Sequence, residues 1–358
     1  MSANIISQHQ APVTRGFLFV GGWVELGYKR NRKECKTNEL SNYIFPYICK
    51  IVEQTPHSWG FLFVVIYYVI FCMNRLWLIL FLYMGCQSKT SIISSGVSWE
   101  LAQNRKASIS DVRYKLNFDI PEDKIKPITV EEFIHFKLSD LTNDVVLDFR
   151  QSADYIHSVS VEGEAVPYKL VNQHILIEAS YFSKGENSIF ISFRAGDMSL
   201  NRNDEFLYTL FVPDRASTAI PCFDQPNLKG RYSLTLEVPT DWTAIANGPI
   251  QSEKVMNNKR VIVFGETRPV STYIFAFTAG KFKRISQEKD GRTMTMLHRE
   301  TDLEKVERNK NEIFDLHSRA ISWMEEYTGI DYPYQKFDFA LIPGFQYGGM
   351  EHPGAISY

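Results

Sequence analysis

The sequence predicts a mainly β protein, an antiparallel β-sandwich or saddle followed by the opening of a mixed α/β domain. Between about Ser98 and Lys283, short runs of alternating apolar and polar residues recur with turn residues between them. Beyond Arg299 the apolar residues return every three or four positions, the period of a helix. With 358 residues, 44% of them hydrophobic and 14% aromatic, the chain has material for one large core or two domains.

The strand-like runs are 112–120, 144–150, 156–162, 187–194, 232–238 and 272–279. Their spacing predicts a mostly two-sheet antiparallel domain over 98–290. Hairpin turns are expected at Glu162-Gly163-Glu164, Lys184-Gly185-Glu186 and Asn247-Gly248-Pro249. No internal repeat stands out.

A second, mixed domain is expected over 291–358. Thr301-Asp302-Leu303-Glu304 reads as a capping box that opens a helix. Val306, Ile313, Phe314, His317, Ala320, Ile321 and Met324 then share one face, and Gly329 ends the helix. A strand-like run at 336–342 and a glycine-rich turn at 344–349 follow.

Residues 1–60 have no clear period, and 1–72 stay unassigned. Within them and just beyond, 61–73 and 76–86 are apolar runs separated by Asn74 and Arg75, each shorter than the roughly 20 residues that span a bilayer. Residues 73–86 carry a basic start at Arg75, an apolar stretch and Gly85-Cys86, the order of a bacterial lipoprotein signal. On that reading Cys86 is the lipid-bearing residue, and the protein sits in the bacterial cell envelope, membrane-anchored and facing the periplasm or exterior. Tyr83 stands where such signals carry an aliphatic residue, so an uncleaved anchor over 61–84 or a buried helix stays open.

Lys and Arg total 39 against 41 Asp and Glu, a net charge of -2, so no long-range field draws this protein to nucleic acid. The five cysteines, Cys35, Cys49, Cys72, Cys86 and Cys222, show no C-x-x-C spacing and suggest neither a disulfide framework nor a cysteine metal site. Cys222 has no histidine nearby in sequence and reads as a buried structural thiol rather than a nucleophile.

Two segments resemble the aminopeptidase N family of zinc metallopeptidases. The first is Pro221-Cys222-Phe223-Asp224-Gln225-Pro226 with 229–238, Asn247-Gly248-Pro249 and 271–277. The second is 332–336 (YPYQK) running into 347–358 (YGGMEHPGAISY), similar to the family's Gly-x-Met-Glu-Asn exopeptidase motif. The resemblance covers roughly 105–358 and implies the family's N-terminal β domain, followed by the truncated start of a thermolysin-like α/β catalytic domain. It also implies removal of single residues from peptide N-termini.

The same resemblance makes Gly348, Gly349, Met350 and Glu351 candidate substrate-binding residues. A carboxylate such as Glu351 can hold a substrate ammonium at a fixed distance from the scissile carbonyl. Glycines at 348 and 349 let the main chain lie close to a peptide. The sequence departs from the family pattern at His352, where Asn is usual, and at Val212, where many members carry Gln or Glu; Asp214 is a neighbouring carboxylate.

The family's zinc is held by His-Glu-x-x-His and a later Glu, and no such motif occurs in this chain. The resemblance therefore implies zinc for the intact family enzyme, no zinc bound by this chain, no catalytic residue in it, and no activity for it alone. A different class of function stays open, a membrane-anchored non-catalytic β-sandwich that acts as a binding or scaffold protein. Oligomeric state has no signature in the sequence.

Overall fold

A computed structural model describes residues 94–358. The 1–72 stretch and the expected anchor at 73–86, including Cys86, lie outside the described residues. Among the described residues no helix is long and apolar enough to cross a membrane.

Helix α1 (Trp99–Ser108) opens on Ser98, whose side chain accepts from the Leu101 amide at 3.2 Å. It leads into an eight-stranded sheet ordered Ile250–Met256, Lys259–Phe264, Gly230–Pro239, Ile109–Asp119, Thr129–Leu138, Gly185–Arg194, Ile156–Val161 and Glu164–Ala165. All neighbours pair antiparallel except Ile109–Asp119 with Gly230–Pro239, which run parallel.

Period-two alternation sets which face is buried. Tyr114, Leu116 and Phe118 point inward beside Tyr232, Leu234 and Leu236 on one side and Ile134 and Phe136 on the other. A three-stranded sheet (Val145–Asp148, His174–Ile177, Lys169–Val171) and a four-stranded one (Thr243–Ala246, Phe277–Gly280, Phe206–Thr209, Leu200–Arg202) contribute Leu147, Ile175, Leu207, Ala244 and Phe277 to the same core. The fold is mainly β as expected, but three sheets rather than two build this core.

A buried charge cluster fastens α1 to that core. Arg105 donates to both Asp148 oxygens at 2.7 and 2.8 Å, His174 Nδ1 meets Asp148 at 2.8 Å, and the Asp224 amide donates to it at 2.7 Å. Burial works to raise the Asp148 pKa, but Arg105, His174 and the Asp224 amide outweigh it and hold the carboxyl below its usual range.

Several local expectations need correction. Of the three expected hairpin turns only Glu162-Gly163 forms one, with φ of 51° and 88° joining Ile156–Val161 to Glu164–Ala165. Gly185 begins a strand after a crossover between sheets, and Asn247-Gly248-Pro249 is a corner where the chain switches sheets. Residues 272–279 are not one strand: Thr272–Ile274 is a 3-10 turn and Phe277–Gly280 the strand. Side chains win there, because Ser271 donates to Pro226 O at 2.6 Å and Thr272 to Asp224 Oδ1 at 2.7 Å.

The fourth sheet runs Lys283–Lys289, Arg292–His298, Asp338–Ala340, Ala355–Ser357, with the last two pairings parallel. Residue 290, where the second domain was expected to begin, falls on the turn of its first hairpin. Helix α2 (Leu303–Thr328) connects the second and third strands. Its N-cap is Asp302, which accepts from Lys305 N at 3.0 Å, not Thr301, whose amide goes to Glu300 at 2.9 Å. Gly329 ends it in the left-handed region, φ 66°. Phe314 and Ile321 are buried as expected, whereas Ala320 and Met324 are exposed.

Candidate functional site

The chain leaves α2 through 332–336 and returns through 344–358, so the fourth sheet and the β domain meet around the second loop. Tyr332 N donates to Glu325 Oε1 at 2.7 Å, which turns the chain back along the helix end. The Tyr332 hydroxyl donates to Lys336 O and accepts from Gly354 N, both at 3.2 Å. Burial pushes this phenol up to about 12. Lys336 Nζ pairs with Asp338 at 2.7 Å and donates to Gly354 O; burial lowers its pKa while Asp338 opposes the shift.

From the β domain, Asn247 closes on the same turn. Its Nδ2 donates to Ile274 O at 3.1 Å and to Pro353 O at 2.9 Å, and its Oδ1 accepts from Ala276 N at 2.6 Å. Gly354 has φ +71°, and a Cβ there would lie 2.6 Å from Asn247 O. Only glycine satisfies both the conformation and the contact.

This bracing continues into the loop. Met350 and Ser357 exchange both backbone hydrogen bonds, at 2.8 and 3.1 Å. The Met350 side chain is buried with Phe206, Tyr208, Leu210, Ile245 and Ile342. Gln346 Nε2 donates to Asn201 Oδ1 at 2.9 Å, and Phe345 packs 5.4 Å from Tyr208.

Glu351 is exposed between buried Met350 and buried His352. Among the described residues its carboxylate has no ion pair. Gly348 and Gly349 are exposed; a Cβ on Gly349 would meet the Tyr358 ring at 3.2 Å, and one on Gly348 would meet nothing within 4 Å. The four candidate residues thus differ: Glu351 and the two glycines face outward, while the Met350 main chain is committed to Ser357.

His352 faces the interior, fully buried, and neither ring nitrogen has a hydrogen-bond partner among the described residues. Burial lowers its pKa from 6.5 to about 4, so the ring is neutral at pH 7. Glu351 and His352 point to opposite sides and do not converge on an ion. His317 is occupied as well, stacking on Phe339 at 4.2 Å with its nitrogens 2.7 Å from Ile313 O and 3.1 Å from the Tyr358 hydroxyl. Among the described residues no group of three or more His, Cys, Asp or Glu could hold a metal, so zinc finds no fitting ligand set there.

The remaining candidates are structural. Val212 packs against the apolar cluster around Met350, and Asp214 is paired with Arg150 at 2.8 Å. Cys222 is buried, and burial raises its thiol well above the usual value. Asp224 accepts from Ser217 N at 3.0 Å and from the Thr272 hydroxyl at 2.7 Å, which ties two turns together. Asn247, Tyr332 and Lys336 have positioning roles that no local spacing signalled.

Residues 112–274 match the family described as the Peptidase M1 N-terminal domain. The chain is 30% identical over 223 residues to "Probable aminopeptidase 2" of Sulfurisphaera tokodaii, which covers 60% of this chain and 28% of that protein. It is 33% identical over 152 residues to "Aminopeptidase M1" of Arabidopsis thaliana, covering 42% of this chain and 17% of that one. With "Leucyl aminopeptidase" of Saccharolobus solfataricus it shares 35% identity over 150 residues, 42% of this chain and 19% of that protein. The chain therefore spans less than a third of the length of these relatives.

Proposed function

Since residues 112–274 are a Peptidase M1 N-terminal domain and the chain's homologues are aminopeptidases, we propose that this chain is the N-terminal part of a zinc-dependent aminopeptidase that takes single residues from peptide N-termini. Zinc would supply the activated water when bound, with ligands contributed from outside the described residues. What this chain contributes is binding and orientation. The Glu351 carboxylate holds the substrate ammonium, and the main chain at Gly348 and Gly349 lies beside the first peptide unit.

The observation that carries this reading is an exposed Glu351, without an ion pair among the described residues, on a loop where both neighbouring residues are buried. A surface carboxylate on a slack loop would lose side-chain and backbone entropy on binding an amine. Here Met350 and His352 are already fixed, so that cost is largely met by folding. In this proposal residues 73–86 attach the protein to a bacterial envelope membrane through Cys86, supported by the order Arg75, apolar run, Gly85-Cys86. Fatty-acid labelling that persists in Cys86→Ser would refute that attachment.

The test of the site uses the chain extended by the polypeptide encoded directly downstream of Tyr358. Glu351→Gln in that protein should lower kcat/KM for aminoacyl substrates by about 30- to 1000-fold, the range for losing a desolvated charge pair of about 2–4 kcal/mol. Substrates with a blocked amine should not be affected by the substitution. Equal turnover by the Glu351→Gln protein would refute the assignment.

A further inference from the structure

Gly349 has a neighbour that Gly348 lacks. Tyr358 continues the strand Ala355–Ser357: its amide donates to Ala340 O at 2.9 Å and its carbonyl accepts from Ile342 N at 2.7 Å, so the backbone that carries its ring belongs to the fourth sheet. The ring lies against the glycine turn. A Cβ on Gly349 would come within 3.2 and 3.3 Å of its Cδ1 and Cε1, closer than carbon atoms normally pack, while one on Gly348 would meet nothing within 4 Å. The hydroxyl end of the same ring is held from α2. His317 Nδ1 lies 2.7 Å from Ile313 O, and its Nε2 lies 3.1 Å from the Tyr358 hydroxyl. A carbonyl oxygen only accepts, so Nδ1 carries the hydrogen, Nε2 is left as an acceptor, and Tyr358 donates to it. The imidazole is fixed in turn: it stacks on Phe339 with ring centres 4.2 Å apart and meets Phe337 edge-on at 5.8 Å. Phe339 is itself buried, in one cluster with Phe314 and Met296.

We propose that Tyr358 and His317 are positioning residues of the peptide-binding loop: the Tyr358 ring sets the place of the main chain at Gly349, and the His317 acceptor sets the Tyr358 ring. The inference rests on the proposed function, which gives Gly348 to Glu351 the substrate; neither positioning residue touches it. The missing side chain at 349 then answers to Tyr358, and Gly348 is the glycine whose open side serves the peptide. The link to Glu351 is short. Met350, between Gly349 and Glu351, exchanges both backbone hydrogen bonds with Ser357, the residue before Tyr358, so loop and strand form one ladder. A ring released from His317 no longer fixes Gly349, and a shift there reaches the Glu351 carboxylate two residues on. Small displacements of a group that holds a substrate charge weaken its grip. Had the ring and the imidazole served packing alone, removing only the hydroxyl or only the acceptor would leave binding as it is.

Three substitutions separate the parts: Tyr358→Phe keeps the ring and drops the hydroxyl, His317→Leu removes the acceptor, and His317→Gln puts an acceptor back. In the 358-residue chain, the Met350 amide, which donates to Ser357 O, should exchange its hydrogen about five-fold or more faster in Tyr358→Phe and in His317→Leu, the scale of one lost neutral hydrogen bond. It should exchange at close to the original rate in His317→Gln. The double variant His317→Leu with Tyr358→Phe should be no faster than either single one, because both break the same bond. The amides of Arg292–His298 should keep their rates, and melting should show every variant folded. In the chain joined to the downstream polypeptide, Tyr358→Phe and His317→Leu should raise KM for aminoacyl substrates about five-fold or more and leave kcat within about two-fold, the pattern of lost ground-state binding. Unchanged Met350 exchange, additive effects in the double variant, no rescue by His317→Gln, or a fall in kcat at unchanged KM would each overturn the proposal. Faster Met350 exchange that His317→Gln reverses, beside a Glu351→Gln protein with undiminished turnover, would count against the proposed function and leave the bracing of the loop intact.

Discussion

Asn247 in the β domain donates to the carbonyl of Pro353, 106 residues later, at 2.9 Å, two positions from exposed Glu351. Through this contact the corner that switches the chain between sheets also fixes the loop that carries the candidate amine ligand. Replacing Asn247 by Ala leaves Ile274 O, Pro353 O and Ala276 N without their side-chain partner. We expect a loss of about 2–4 kcal/mol in denaturant unfolding of the chain. Hydrogen exchange should show the amides of 350–357 losing protection before those of Ile109–Asp119. Equal protection in the two regions would mean that Asn247 does not brace the loop.

His352 gives the same loop a pH signature. Its folded pKa of about 4 lies below the ordinary value of 6.5, so the unfolded chain binds the extra proton first as pH falls. The stability that neutral His352 contributes is complete above about pH 6.5 and is lost progressively towards pH 4, by roughly 3 kcal/mol in total. Urea unfolding across this window should show a stability slope that His352→Asn removes. An unchanged slope in the variant would show that other groups carry it.

Glu132 points into the core, and neither carboxyl oxygen has a hydrogen-bond partner among the described residues. Burial raises its pKa well above normal and keeps the group neutral. Glu132→Met removes the unsatisfied oxygens at similar volume and should stabilise the chain by about 1–3 kcal/mol in thermal or urea unfolding. As pH rises above the usual carboxylate range the unfolded Glu ionises while the folded one does not. The variant's advantage should therefore be larger at pH 8 than at pH 5, and a variant less stable at both would contradict this.

The same residue explains a strand that the sequence hid. In Thr129–Leu138 the buried positions are Val130, Glu132, Ile134, Phe136 and Leu138, while Phe133 faces out and packs 4.8 Å from Phe190. An inward Glu and an outward Phe blur the alternation that makes Ile109–Asp119 and Gly230–Pro239 readable. At α2, Glu300 takes the Thr301 and Asp302 amides and moves the cap by one residue, which no propensity foresees.

The candidate site was legible where it is a contiguous motif, Gly348 to Glu351. Its supports were not, because Asn247, Tyr332 and Lys336 act on backbone atoms 106, 22 and 18 residues away. Such contacts leave no local pattern. The segment 221–226 likewise shows its role only in three dimensions, where Asp224 and Pro226 hold Thr272 and Ser271.

The most direct test of the central claim is the hydrolysis of an aminoacyl chromogenic substrate by the purified 358-residue chain in the presence of zinc. Glu351 can orient an amine but cannot by itself lower the barrier to attack on an amide, and orientation without a positioned nucleophile leaves the slow uncatalysed reaction. The account predicts no turnover above buffer, and zinc-dependent turnover once the downstream polypeptide is joined. Zinc-dependent turnover by the 358-residue chain alone, abolished by a chelator and by Glu351→Ala, would contradict it.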